Sequence, residues 1–149
     1  MEIERKFLIE TLPENLSQYP FRQLEQGYLC TEPVVRIRRE DDDYYLTYKS
    51  KGLMVREEYN LPLTKDAYEH LLPKVDGIVI SKKRYLIPFT EKLTIELDVF
   101  EGELAPLFLA EVEFETEEEA NAFVPPKWFG EDVTYSSKYH NSTLSRKNL

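Results

Sequence analysis

Polar and apolar positions alternate along most of this chain, and that alternation predicts β-strands. In the first nine residues, Glu2, Glu4 and Lys6 fall on one face, while Ile3 and Phe7 fall on the other. Side chains of a strand have a period of two, so this segment has one charged and one largely apolar face. The same period, interrupted by polar turns, predicts eight strands, at residues 2–9, 22–29, 34–40, 44–50, 54–61, 78–87, 93–100 and 107–115.

Three further segments predict helices. They cover residues 64–72, 116–123 and 132–147, and in the second of them Thr116 and Glu119 fit a capping box. Many strands with short connections favour an antiparallel meander, and closing it into a barrel removes its exposed edges. The helices can then cover the apolar faces from outside, which turns the charged faces into the lumen. About eight strands leave room there for one small ligand.

Charged residues recur on these strands in same-sign pairs, two residues apart. Arg36 and Arg38 form one such pair, and Glu111 and Glu113 form another. A charged face is ordinarily the solvated side of an open sheet, and alternation alone leaves that alternative open. Like charges at this spacing repel unless they share a ligand. Paired carboxylates can share a divalent cation, and paired Arg and Lys can share a polyanion, so the pattern favours an ionic binding site.

Length and composition indicate one ordered domain over residues 1–149, because the 149 residues are 42% hydrophobic. The net charge of −9 argues against a general nucleic-acid or anionic-membrane partner but allows a local basic site. Cys30 is the single cysteine, which excludes an intrachain disulfide and favours a cytoplasmic location. The first strand begins at Met1, so we expect no signal peptide, and no apolar run reaches the length of a membrane span.

The ordered charges resemble those of a known family. Glu2-x-Glu4-x-Lys6 resembles the ExExK signature of the CYTH superfamily, the triphosphate tunnel metalloenzymes. Six more pairs follow in the order of that family: Arg36-x-Arg38, Thr47-x-Lys49, Arg56-x-Glu58, Lys82-x-Arg84, Glu96-x-Asp98 and Glu111-x-Glu113. The resemblance covers almost the whole chain. It implies an α+β fold, a closed eight-stranded antiparallel β-barrel that forms a tunnel, with helices packed outside and a C-terminal helix near one mouth.

The resemblance also implies roles for these residues. The ligands of a catalytic Mg²⁺ or Mn²⁺, hard cations that prefer oxygen, would be Glu2, Glu4, Asp98, Glu111 and Glu113. The bases that grip the triphosphate would be Lys6, Arg36, Arg38, Lys49, Arg56, Lys82 and Arg84. Direct catalytic roles would belong to Glu4, Lys49, Glu58, Asp98 and Glu113. Glu96 is left open between a metal ligand and a salt-bridge partner.

Other residues are given simpler interpretations. Tyr28 is expected to enter the lumen, whereas His70 and His140 are expected to be solvated surface residues. Asn60 departs from the family pattern, in which a second Glu often stands two residues after the position of Glu58.

Within that family, the chain most resembles the compact bacterial members that are inorganic tripolyphosphatases. The function implied is therefore metal-dependent hydrolysis of a linear triphosphate, inorganic tripolyphosphate in the first place. Three alternatives stay open. The substrate could be an organic triphosphate (a nucleotide, thiamine triphosphate or an RNA 5′ end), the reaction could be that of a class IV adenylate cyclase, or the chain could be a polyphosphate-binding module. The expected partner is a small-molecule polyanion, and the oligomeric state is left open between monomer and homodimer.

Overall fold

The computed structural model describes residues 1–146, which form one antiparallel sheet of nine strands and three short α-helices. The strands are β1 (Glu2–Leu8), β2 (Phe21–Thr31), β3 (Val34–Glu40), β4 (Asp43–Lys49), β5 (Val55–Arg56), β6 (Glu58–Pro62), β7 (Asp76–Pro88), β8 (Thr94–Phe100) and β9 (Phe108–Phe114). The helices are α1 (Lys65–Leu71), α2 (Glu117–Ala122) and α3 (Asn141–Leu144). Single 3₁₀ turns lie at Leu16–Gln18, Leu72–Lys74, Gly102–Leu104 and Ser137–Tyr139.

The sheet curls until its two ends meet. Its strand order is β5-β1-β9-β8-β7-β2-β3-β4-β6, so the outermost strands are neighbours in sequence with Glu57 alone between them. β5 pairs with β1, where Arg56 lies opposite Glu2, and β6 pairs with β4. The segment predicted as one strand over 54–61 therefore joins both ends of the sheet and nearly closes it. The predicted barrel is confirmed, and the strand count is nine rather than eight because Glu57 divides that segment.

Apolar side chains cover the outside of the barrel. Phe7, Ile95 and Val112 are buried beneath the residues that follow α2, among them Phe123 and Phe129. A second buried cluster joins residues of β7 and β9 to the C-terminal segment. Because side chains alternate along each strand, this packing leaves the charged positions of the same strands facing the lumen.

The two predicted helix starts are confirmed by their caps. The Thr64 hydroxyl accepts a hydrogen bond from the backbone N–H of Ala67 (3.0 Å), and the Thr116 hydroxyl accepts one from Glu119 (3.1 Å). Each cap satisfies one of the amide groups that the first turn of a helix leaves without an intrahelical partner.

Arg5 is the charged exception on the apolar side of β1. Its guanidinium donates to the backbone carbonyls of Ala120 (2.9 Å) and Phe123 (3.1 Å) and pairs with Asp132 (2.9 Å). A cation suits the carbonyl end of a helix, so Arg5 ties the last turn of α2 to the barrel.

The predicted C-terminal helix over 132–147 is wrong. The chain forms only the Ser137–Tyr139 turn and the four-residue α3 there, and residue 147 lies outside the described residues. Beyond its short contact with β5, β1 has a free edge, and the segment before the turn pairs with it: Val133 N–H donates to the Lys6 carbonyl (2.9 Å), and Leu8 N–H donates to the Glu131 carbonyl (2.8 Å). These bonds to β1 replace the local bonds that a helix needs. The segment still ends at one mouth of the barrel, where Ile78 N–H donates to the Ser145 carbonyl (2.7 Å).

Among residues 1–146, no helix is long and apolar enough to cross a membrane.

Candidate active site

The lumen contains a cavity of about 380 Å³ with a strongly charged lining. Two opposed walls form it because the acids and the bases lie on different neighbouring strands. Most of the acidic positions lie on β1, β9 and β8, which are adjacent in the sheet, and most of the basic positions lie on β3, β4 and β5. Lys6 on β1 and Arg84 on β7 are bases on the acidic side. Of the predicted site residues, the cavity lining contains Glu2, Glu4, Lys6, Arg36, Arg38, Lys49, Arg56, Glu58, Arg84, Glu111 and Glu113.

Like charges face each other directly on the acidic wall. Glu4 pairs across the β1–β9 ladder with Glu113, and Glu96 pairs across the β8–β9 ladder with Glu111. Same-face neighbours at these positions are only about 5 Å apart between Cβ atoms, which is unfavourable for two carboxylates. The carboxylates of this wall therefore repel each other, and a bound cation would reduce that repulsion.

Three acids of this wall hold their protons more tightly than usual. Burial, together with the charge of Glu111, raises the pKa of Glu4. Burial and Glu96 raise the pKa of Glu113, and burial raises that of Glu96 although Arg84 opposes it. Within residues 1–146 the Glu4 carboxylate accepts no hydrogen bond and makes no ion pair, so its oxygens face the cavity unoccupied by protein donors.

Glu111 behaves in the opposite way. Burial alone would raise its pKa, but Lys6 (3.4 Å) and Arg84 (3.3 Å) hold the pKa of Glu111 well below its usual range. Arg84 also pairs with Glu96 (3.2 Å). Of the two roles left open for Glu96, the structure therefore contains the salt bridge.

Two predicted site residues lie deeper than the cavity lining. Asp98 is fully buried and pairs with Lys82 (2.6 Å) and with two nitrogens of Arg84 (2.7 and 2.9 Å). Burial alone would raise the pKa of Asp98, and these two cations lower it instead. Burial lowers the pKa of Lys82 to about 7 even though Asp98 opposes the shift. Both oxygens of Asp98 are thus committed to cations of the protein.

Lys49 joins the two walls. Its ammonium pairs with Glu2 (2.8 Å) and with Glu58 (3.2 Å). Burial opposes the charge on Lys49, but Glu4 and Glu2 outweigh it and raise the pKa of Lys49. Burial and Glu4 raise the pKa of Glu2 to about 8, whereas Lys49 and a hydrogen bond with Glu2 overcome burial and lower the pKa of Glu58 to about 2. In this interacting pair the Glu2 carboxyl therefore holds its proton more tightly than the Glu58 carboxyl does.

On the basic wall Arg36 has a neutral partner, whereas Arg38 contacts both a neutral group and an acid. Arg36 donates from Nη2 to the Thr47 hydroxyl (3.2 Å), and its buried Nε has no hydrogen-bond partner within the described part of the chain. Arg38 donates from Nε to Gln26 (2.8 Å) and reaches Glu40 at 3.4 Å. Burial and the neighbouring Arg36 lower the pKa of Arg38 to about 10. Such concentrated positive charge in a buried cavity favours an anion.

The structure also tests the expectations for Tyr28 and the two histidines. Tyr28 lines the cavity as expected, and His70 is exposed as expected. His140, expected on the surface, instead lines the cavity with Asn141, and its Nδ1 contacts Nη2 of Arg56 (3.1 Å). The family resemblance places the C-terminal segment near one mouth of the barrel, but the segment has no alternation to indicate which of its side chains enter the cavity.

Comparison with known proteins agrees with this geometry. The family described as CYTH domain matches residues 1–146. The chain belongs to the CYTH domain family. A CYTH relative from Nitrosomonas europaea, named inorganic triphosphatase, is 43% identical over 97% of this chain and 96% of its own length. A second protein of that name, from Acetivibrio thermocellus, is 35% identical over 96% of this chain and 92% of its own length.

Solved structures agree as well. The crystal structure of an inorganic triphosphatase is 40% identical and superposes with a TM-score of 0.73 over 98% of this chain and 95% of that chain. A protein from Hippeastrum, described as an adenylyl cyclase homologue with dominant triphosphatase activity, is 17% identical with a TM-score of 0.62 over 81% of this chain and 83% of that chain. At that identity the second likeness shows the shared CYTH fold alone.

CYTH triphosphatases depend on metals in general. The acidic wall has suitable chemistry, because carboxylate oxygens are the ligands that Mg²⁺ and Mn²⁺ prefer and the Glu4 oxygens have no protein donor. Among the described residues, no three acids, histidines or cysteines stand close enough together to hold an ion as they are arranged. A metal site here therefore needs side-chain rotation within the wall.

The raised pKa of Glu2 leads to a prediction about the metal-free protein. Its pKa is about 8 in the folded state against an ordinary value of 4.5, so the bound proton stabilises the fold and this contribution is lost as the pH rises towards 8. Between pH 6.5 and 8 we expect the unfolding free energy of the wild type to fall by about 1–2 kcal/mol relative to Glu2→Gln. Urea unfolding of both proteins in a chelator, at several pH values, measures this difference.

The comparison with Glu2→Gln removes the contributions of other groups. In the folded state His140, whose pKa burial lowers to about 4 from 6.5, titrates below this window, and its titration in the unfolded state is common to both proteins. Lys82 titrates within it but is present in both proteins. Parallel stability curves for the two proteins across the window would contradict the raised pKa of Glu2.

Proposed function

We propose that this protein is a divalent-metal-dependent triphosphatase that hydrolyses inorganic tripolyphosphate to pyrophosphate and phosphate. The observation that carries the proposal is a nearly closed lumen in which an acidic wall faces Arg36 and Arg56, whose partners are neutral. Arg36 and Arg56 make no ion pair within residues 1–146, so a polyanion is the missing counter-charge. The two bacterial relatives named inorganic triphosphatase support the same substrate class.

We propose that the basic wall binds the substrate. Arg36, Arg38 and Arg56 would hold phosphate oxygens through their planar donors, with Lys6 and Lys49 supplying mobile positive charge. Lys49 stays protonated because its pKa is raised, so its ammonium can stabilise negative charge that develops on the polyphosphate. Lys82 and Arg84 are proposed to act indirectly, because their ion pairs hold Asp98 and Glu111 in place.

Metal binding is proposed for Glu2, Glu4, Glu111 and Glu113, with Mg²⁺ or Mn²⁺ as the ion. A bound ion would neutralise phosphate oxygens and make the terminal phosphorus more electrophilic. Asp98, the fifth predicted ligand, would have to release Lys82 or Arg84 to take part, and we therefore propose a supporting role for it.

Proton transfer is proposed for Glu113. It is half-exposed and its raised pKa makes it a better base than an ordinary carboxylate, while the low pKa of Glu58 makes that residue a poor one. Glu113 would orient a water molecule and accept its proton as the water oxygen bonds to the terminal phosphorus. The bond from that phosphorus to the bridging oxygen breaks, and pyrophosphate leaves with the electron pair. Glu58 would keep Lys49 aligned.

The remaining expectations are proposed on the same basis. Residues 1–149 are proposed to act as one catalytic domain in the cytoplasm, with a small-molecule polyanion as the partner. The test of the function is phosphate release from tripolyphosphate, ATP, thiamine triphosphate and an RNA 5′-triphosphate at equal concentration, with and without Mg²⁺ or Mn²⁺. Metal-dependent release from tripolyphosphate well above the other substrates supports the proposal. The proposed function would be contradicted by a preference for an organic triphosphate, by formation of cyclic AMP, or by binding without turnover.

Ligand binding should also stabilise the fold. At one hundred times its dissociation constant, tripolyphosphate with Mg²⁺ should add about 2.7 kcal/mol of stability, because it binds only the folded lumen. For a chain of this length that corresponds to a rise in Tm of about 5–10 °C. Thermal unfolding with and without tripolyphosphate, at matched ionic strength set by sodium chloride, measures the shift. An unchanged Tm at saturating ligand would contradict a polyanion site in the barrel.

A further inference from the structure

Two kinds of partner hold the cations of the lumen. Lys6, Lys49 and Arg84 each pair with at least one acidic residue at 3.4 Å or less. Arg56 differs, because its Nη2 contacts the imidazole Nδ1 of His140 at 3.1 Å and no acid pairs with it among residues 1–146. Arg56 therefore has a fixed position without a compensating negative charge.

The chemistry of the contact fixes the state of the ring. A guanidinium can only donate, so Nδ1 of His140 must accept, and the ring is neutral with its proton on Nε2. Burial, then Lys6 and Arg56, lower the pKa of His140 to about 4, which agrees with a neutral ring at pH 7.

The segment that carries His140 is anchored to the barrel. The Lys6 ammonium donates to the Tyr139 carbonyl (3.2 Å), and the Lys82 ammonium donates to the Asn141 side chain (3.3 Å). These bonds come from β1 and β7, while Arg56 lies on β5. The three consecutive residues 139–141 thus contact cations of three different strands at one end of the cavity.

We propose that His140 is a positioning residue for Arg56, holding its guanidinium through a neutral contact so that its full charge remains available to a phosphate oxygen of the substrate. A carboxylate at position 140 would hold Arg56 as firmly but would compete with the phosphate for it. The inference rests on the proposed function, because it assumes an anionic substrate in the lumen. It adds that the end of the cavity beside the C-terminal segment binds substrate through a cation that the protein leaves unneutralised.

The test compares two variants of the same shape. His140→Asn retains a neutral acceptor near the position of Nδ1, and His140→Asp has the same outline with a negative charge. For tripolyphosphate with Mg²⁺ we expect KM of His140→Asn within about threefold of wild type, and KM of His140→Asp higher by about tenfold or more, with kcat of both changed less than KM. The Tm of the ligand-free His140→Asp protein should equal or exceed that of His140→Asn, because the charge pairs with Arg56.

Two controls make the result specific. His70 is exposed on α1, so His70→Asn and His70→Asp apply the same charge change away from the site and should have equal KM. Calorimetric binding of tripolyphosphate without metal repeats the comparison independently of turnover, and it also serves if either variant is too unstable for kinetics, with His140→Gln and His140→Glu as the replacement pair.

The outcomes separate the two proposals. A wild-type protein that does not hydrolyse tripolyphosphate overturns the proposed function. An active wild type with equal substrate affinity in His140→Asn and His140→Asp overturns the role of His140 while leaving the function in place. A neutral variant that matches wild type beside a charged variant that binds weakly supports the inference, since a purely structural contact would favour the carboxylate.

Discussion

Replacement of Glu4 by Gln is expected to lower kcat by about a thousandfold, the upper end of what the loss of one charge-stabilising group costs, while the barrel stays folded. Glu4 faces the cavity without a protein donor, opposite Glu113 in the ladder, and its pKa is raised by burial and by Glu111. A neutral amide of the same shape removes a proposed metal ligand. It also removes repulsion from the acidic wall, so the Tm of the metal-free protein should be unchanged or higher.

The measurement is kcat against Mg²⁺ concentration, with thermal unfolding of the same samples. Glu10→Gln is the matched control, because Glu10 is exposed just beyond the end of β1 and should retain wild-type activity. Activity of Glu4→Gln close to wild type, with an unchanged dependence on Mg²⁺, would rule out Glu4 as a metal ligand. A protein that fails to fold would instead assign Glu4 a structural role.

Alternation predicted which side chains share a face, and the recurring like-charge pairs, rather than alternation alone, favoured the lumen over a solvated sheet face. A strand whose apolar face is covered from outside turns its other face inward, so Glu4 and Arg36 were both expected in the lumen, and the cavity lining contains both. The division of 54–61 into two strands was not predictable in this way. It arises because β5 pairs with β1, which is distant in sequence, while β6 pairs with the nearby β4.

The two-residue period also could not predict how deeply an inward side chain lies within the barrel. Glu4 and Asp98 occupy equivalent inward positions in their strands, yet one faces the cavity and the other is fully buried between Lys82 and Arg84. The difference depends on register, which sets Arg84 opposite Asp98 across the β7–β8 ladder. That register, together with the length of the neighbouring side chains, decides whether an inward acid pairs with protein cations or remains open to a ligand.

The C-terminal segment was mispredicted for a related reason. Its polar residues are compatible with a helix, but its backbone bonds to the free edge of β1 and leaves only α3 helical. His140 consequently reaches the lumen instead of solvent. Contacts made by a segment without periodicity depend on tertiary pairing, which local sequence does not encode.

Arg36 should be the basic residue whose loss affects substrate affinity most clearly. Its Nη2 contacts only the Thr47 hydroxyl, its Nε is buried without a partner, and no acid neutralises it within residues 1–146. In a confined cavity its charge is weakly screened by salt. We expect Arg36→Met, which retains much of the side-chain volume, to lower kcat/KM for tripolyphosphate by roughly a hundredfold or more, about 3 kcal/mol of lost stabilisation.

Arg39 provides a control on the same strand. It lies three residues further along β3, on the outer face, where its guanidinium donates to the Asp41 carbonyl (2.7 Å) and is exposed. Arg39→Met should therefore leave kcat/KM within a few-fold of wild type, because solvent and salt screen its field. The two variants remove the same charge from the same strand and differ only in the face from which it is removed.

Substrate-induced stabilisation distinguishes binding from a general loss of structure. Arg36 contributes to the low pKa of Arg38, so its removal relieves repulsion in the ligand-free protein, and the Tm of Arg36→Met without ligand should stay near that of wild type. The rise in Tm on adding tripolyphosphate should shrink in Arg36→Met and persist in Arg39→Met. If both variants kept full activity and the full thermal shift, the arginines of β3 would belong to an ordinary solvated sheet face, and the substrate would have to bind elsewhere.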